Sequence, residues 1–146
     1  MATELQQGLK QIEVLKAHGR FDKAIGYCEQ MLVARPNDVG LLHAKSDCLN
    51  ALGKHNEVLA TCDRILKSSA RDAVAWSNRA NALNELGRYR EAVTCSESAI
   101  KLNAMFPAAW LNRGVAFLGL CDFEKALNSL EYKRRSKNRP HYAAEG

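Results

Sequence analysis

Residues 75–92 read AWSNRANALNELGRYREA, and residues 109–126 read AWLNRGVAFLGLCDFEKA. The second stretch repeats the first at a spacing of 34: Trp76 returns as Trp110, Asn78 as Asn112, Arg79 as Arg113, Leu86 as Leu120 and Ala92 as Ala126. Self-similarity at a period of about 20–50 residues marks a solenoid. Carried backwards, the frame aligns Gly87 with Gly53 and Gly19; carried forwards it meets Cys121, the one departure. Tyr89 aligns with Phe21, His55 and Phe123, and Ala92 with Ala24, Val58 and Ala126. Four repeats follow, 5–38, 39–72, 73–106 and 107–140, forming one domain over 1–140 with a short tail, 141–146.

Within a repeat the apolar spacing is helical and broken once. Trp76, Ala80, Leu83 and Leu86 share one helix face, Gly87 supplies a helix-ending backbone, and Tyr89, Ala92, Val93 and Ile100 resume on a second helix. Between units, Asp38 and Asp72 are good N-caps and Pro107 suits a first helical turn. The pattern predicts helices at about 5–18, 22–34, 39–52, 56–68, 73–86, 90–102, 107–120 and 124–135. Small or compact residues at the eighth position (Ile12, Ser46, Ala80, Gly114) and twentieth position (Ala24, Val58, Ala92, Ala126) let paired helices approach closely. No single hairpin buries such a face; four stacked hairpins do.

Composition narrows the function. With 47% apolar and 25% charged residues, the 146-residue chain reads as globular. No apolar run approaches the roughly 18 residues of a membrane span. MATELQQGLKQ lacks the build of a signal peptide, and five cysteines without CxxC spacing suit a reducing compartment. The expectation is a cytoplasmic protein. Five of the 21 basic residues but only one of the 16 acidic ones fall in 133–146, so the +5 charge belongs to that end and the rest is nearly neutral. This argues against a broad nucleic-acid surface on the body.

The repeats resemble the tetratricopeptide (TPR) family. Trp76, Gly87, Tyr89, Ala92 and Ala99 match its pattern in the third repeat, and Trp110, Gly114, Phe123 and Ala126 in the fourth; Gly8 and Leu42 replace the Trp earlier, and His55 the aromatic. The resemblance implies an all-α, right-handed α-solenoid whose first helices line a concave groove. With positions 4, 8 and 11 of each repeat taken as the buried stripe, the opposite side carries His43, Asp47, Asn50, Ser77, Asn78, Asn81, Asn84 and Asn112, with apolar Leu111, Val115 and Leu118 beside the last. Amides both donate and accept, so a row of them suits the backbone of an extended peptide. It is similar to the asparagine ladder in the repeat arm of the O-linked N-acetylglucosamine transferases, over two rungs; equally, the amides are solvated helix surface. The cochaperone repeat domains that clamp acidic chaperone tails fit poorly: of the clamp positions only Asn78 matches, and Asp47 would repel a carboxylate.

Arg79 and Arg113 border the buried stripe, which favours packed stems over anion binding. His43 and Asp47, one turn apart, are placed to pair. Cys28 and Cys62 read as small core residues. No Gly-rich phosphate loop, HExxH or nucleophile elbow is present, so neither enzyme activity, cofactor nor metal is expected. Lys133, Arg134, Arg135, Lys137 and Arg139 form a basic segment in which Lys133 and Arg134 replace core residues of earlier repeats. Capping of a terminal repeat and a hook for RNA or an acidic partner are the two readings. Leu127 and Leu130 would then stay uncovered, which permits homo-oligomerisation. The expected function is a non-enzymatic scaffold for an extended peptide. The alternatives are the substrate-recruiting arm of a larger glycosyltransferase-like protein and an RNA-binding adaptor.

Overall fold

A computed structural model describes residues 3–138, with side chains to 135. Among the described residues there are eight helices and no strand: α1 Glu4–Ala17, α2 Phe21–Ala34, α3 Val39–Ala51, α4 His55–Ser68, α5 Ala73–Glu85, α6 Tyr89–Leu102, α7 Pro107–Gly119 and α8 Phe123–Asn138. The boundaries lie within a residue or so of the periodicity, except that α8 runs on to Asn138.

Local chemistry sets these ends. Asp38 and Asp72 accept from the backbone N–H of Leu41 and Ala75, each at 2.9 Å, and Thr3 and Gln6 close a capping box on α1. Pro107 opens α7. Each turn inside a hairpin needs one left-handed residue: Gly19, Gly53 and Gly87 sit at φ of 70°, 71° and 74°, and Cys121 adopts the same conformation at 59°. A side chain there is strained.

Each helix packs on its hairpin partner, and α2, α4 and α6 also pack on the first helix of the next hairpin. α1 touches α3 and α5 touches α7, whereas no two second helices pack to a comparable extent among the described residues. The stack therefore bends towards its first helices, whose open sides line the inner face. The core runs unbroken through the stack, with Ile12, Ala24, Leu41, Leu49, Val58, Ala80, Leu83 and Ala92 almost fully buried.

The Trp position performs one specific task. The indole Nε1 groups of Trp76 and Trp110 donate to the carbonyls of Ala70 and Ala104, both at 2.9 Å, in the turns between hairpins. The matching carbonyl before α3 belongs to Pro36; there Leu42 replaces Trp, and the Arg64 guanidinium donates instead. In α1 the Met31 side chain lies over Gly8, where even a Cβ would collide with it.

Candidate functional site

The inner face is built from rungs between neighbouring first helices. Position 12 of one repeat meets position 9 of the next. At the first seam Lys16 Nζ contacts Asp47 Oδ2 at 3.3 Å while also holding Glu13 at 2.9 Å. Partial burial works against the Lys16 charge, but the hydrogen bond to Glu13 and the two carboxylates outweigh it and raise the pKa. At the second seam Asn81 Nδ2 donates to Asn50 Oδ1 at 3.1 Å. At the third, position 9 is Val115, which offers no polar partner. Asn84 Nδ2 turns instead to the Asn112 carbonyl at 2.9 Å, and Asn84 Oδ1 is buried with no hydrogen bond.

This third seam corrects the expectation for three residues. Periodicity places Ser77, Asn84 and Asn112 on the open face; all three are buried. Asn112 Nδ2 donates to the Ser77 carbonyl at 2.9 Å and to Ser77 Oγ at 3.1 Å, so these groups join α5 to α7. The small side chain of Ser77 allows that close approach. Asn78, at the same repeat position as Asn112, is half-buried, and Asp47 and Asn50 are exposed. His43 does not pair with Asp47 either. Its Nε2 lies 2.7 Å from Asp72 Oδ2, which ties α3 to the cap of α5.

The inner face changes character along its length. Glu13, Asp47 and Asn50 are exposed towards one end, and Val115 and Leu118 are exposed at the other.

A second ladder was missed by sequence reasoning except at its two arginines. Position 7 of each repeat pairs with an acidic residue at position 25 of the preceding one: Lys45 with Glu29 at 3.5 Å, Arg79 with Asp63 at 2.9 Å and Arg113 with Glu97 at 3.3 Å. The arginines also donate within their own hairpins, Arg79 to Cys95 Sγ at 3.0 Å and Arg113 to Ser129 Oγ at 2.7 Å. Arg113 lies over the rings of Phe117 and Trp110 as well. These side chains join repeats and are not free anion binders. The acidic residues at a spacing of 34 (Glu29, Asp63, Glu97) were the available signal.

In the basic segment, Arg134 and Arg135 are exposed and Lys133 is half-buried. The Lys137 side chain and Arg139 lie outside the described residues, as does the short tail. Cys28, Cys48, Cys62 and Cys95 are buried, and desolvation raises all four thiols, Cys28 and Cys62 to about 11. Only Cys121 is exposed among the five. Among the described residues no group of three or more His, Cys, Asp or Glu side chains is placed to hold a metal ion, and no helix is long and apolar enough to cross a membrane.

Stacked helical hairpins with inter-repeat ladders define a helical-hairpin solenoid. A Tetratricopeptide repeat model matches residues 15–82 and a TPR repeat model residues 80–120. The chain belongs to the tetratricopeptide repeat family. No curated protein matches it. Among solved structures it is similar to MamA (TM-score 0.80, 21% identity, over 86% of this chain and 74% of that one). It is similar also to MamA 41-end from Desulfovibrio magneticus RS-1 (0.83, 18%, 93% and 77%). A third is TTC0263, a thermophilic TPR protein in Thermus thermophilus (0.79, 23%, 92% and 75%). At these identities the likeness concerns the fold. Membership of this family implies protein partners in general.

Proposed function

We propose that this chain is a non-enzymatic scaffold that holds an extended segment of a partner protein along its inner face. The observation that carries the reading is the graded lining of that face. Asp47, Asn50, Asn78 and Asn81 offer carboxylate and amide groups to a backbone laid along that face, and Val115 and Leu118 offer an apolar anchor beyond them. The exposed Val115 and Leu118 at one end of that surface are the kind of patch that partners cover. The favoured ligand carries an apolar side chain for Val115 and Leu118 and a basic one for Asp47 and Glu13. Ser77, Asn84 and Asn112 hold the seam under the ligand, and His43 steadies the α5 cap.

The test is selection of a displayed peptide library on the wild-type chain and on a Val115→Asp/Leu118→Asp variant with matching helicity. Peptides that pair an apolar with a basic residue, bind the wild type and lose at least about tenfold in affinity for the variant are expected. A selection that returns equal binders for both chains refutes the inner face as the site.

A further inference from the structure

The last hairpin exposes positions that the first three cover. At position 21, Ile25 and Leu59 are buried and Val93 is half-buried, whereas Leu127 is 60% exposed. At position 17, Phe21, His55 and Tyr89 are half-buried and the Tyr89 ring packs on Gly119 of the next hairpin, whereas Phe123 is 66% exposed. Residues 123, 127, 131 and 134 fall within one quadrant of α8 at the helical repeat. That stripe reads Phe, Leu, Glu, Arg, with Glu124 and Arg135 on its flank. It is a narrow apolar strip with an acid near one end and cations at the other, on the outermost helix of the stack.

We propose that this face of α8 docks on the same face of a second copy of the chain, with the two helices antiparallel. Charge decides both the partner and the direction. An antiparallel pair centred near residue 129 sets Glu124 of each copy opposite Arg134 and Arg135 of the other, with Leu127 of each opposite Glu131 of the other and the two Leu127 side chains about 6 Å apart along the axis. A parallel pair sets Arg134 and Arg135 against their own copies. Head-to-tail stacking, with α1 of another copy on α8, fails on the ladder. Each internal seam supplies a cation at position 7 for the acid at position 25, and Glu131 would need one; α1 has Gln11 there. A two-fold isologous contact is also the commonest arrangement among homo-oligomers. The inner face is left open by this pairing.

Sedimentation equilibrium of the full chain up to about 100 μM tests it. The expected mass is twice the 16.2 kDa of the chain. Leu127→Asp, at a side chain too exposed to matter for the fold of one copy, should raise the dimer dissociation constant at least about tenfold with unchanged circular dichroism. Arg134→Glu/Arg135→Glu and Glu124→Arg variants should each self-associate more weakly than wild type, yet form a heterodimer when mixed, because mixing restores opposite charges at both ends. A wild-type monomer at that concentration overturns the proposal, and if deletion of 139–146 then produces the dimer, that segment is the occupant instead. A dimer that Leu127→Asp leaves intact, or charge variants that do not prefer each other, overturns the antiparallel α8 contact.

Discussion

Replacing Asn112 by alanine should destabilise the fold by about 2 kcal/mol, although the residue sits in a repeat position that invites a ligand-binding role. The magnitude follows from its surroundings. Its Nδ2 makes two hydrogen bonds to Ser77, at 2.9 and 3.1 Å, from a side chain that is only 8% exposed. Each buried hydrogen bond contributes about 0.5–1.5 kcal/mol. Loss of the buried amide atoms leaves a small void between α5 and α7, which costs about 1 kcal/mol more. The better helix propensity of alanine returns about half a kcal/mol. Asn78→Ala provides the control: it occupies the same repeat position, is half-buried and should change stability by under about 0.5 kcal/mol.

Urea denaturation followed by circular dichroism reads both variants, and hydrogen exchange locates the effect. Because each repeat is held by its neighbours, loosening the α5–α7 seam should raise exchange in α7 and α8 before it reaches α1–α4. A double-mutant cycle with Ser77→Ala should show coupling of about 0.5–1 kcal/mol. The reasoning is refuted if Asn112→Ala and Asn78→Ala destabilise equally, or if Asn112→Ala leaves stability unchanged and weakens only peptide binding.

Cys121→Gly should stabilise the chain by about 1 kcal/mol, read as a shift in the urea midpoint, because the left-handed backbone at φ 59° strains any side chain. Arg64→Ala should cost about 0.5 kcal/mol, read in the same way, because the freed Pro36 carbonyl is exposed and takes water instead. With a thiol reagent at about pH 8, one cysteine of five should react quickly and the four buried ones only as the chain opens. Alkali should unfold the chain partly through Cys28 and Cys62: their folded pKa values, raised from 9.0 to about 11, mean the unfolded chain loses these protons first. The stability present below about pH 9 is therefore lost as pH rises through about 11, and Cys28→Ala/Cys62→Ala should flatten that decline.

The hairpins were legible in the sequence because their causes are local. Gly87 and its equivalents need a left-handed backbone, Asp38 and Asp72 cap with their own side chains, and apolar steps of three and four mark each helix. All of these act within a few residues and recur every 34. The buried state of Cys28 and Cys62 was legible for the same reason, since both follow from position within a hairpin. The Arg64 contact was not, because it depends on an absence: Leu42 leaves a carbonyl without its usual indole, and an arginine from elsewhere in the repeat fills the gap.

The asparagines show where periodicity stops being informative. A shared period states which residues are equivalent within their own hairpins, but equivalence of position is not equivalence of surroundings. Asn78 and Asn112 both occupy position 6. The helix before Asn78 carries His43 at position 5, a bulky side chain engaged with Asp72, whereas the helix before Asn112 carries Ser77. A small hydroxyl side chain admits the amide of Asn112 to the α5 backbone and closes that seam; the larger imidazole gives Asn78 no such entry. The same logic runs along positions 12 and 9, where Lys16–Asp47 and Asn50–Asn81 form rungs and Val115 interrupts them. That interruption leaves Asn84 Oδ1 unpaired and puts an apolar residue where the earlier rungs are polar. A partner that recognised the inner face by its rungs alone would find two; under the proposed reading, its apolar side chain docks on the exposed Val115 and Leu118 beyond them.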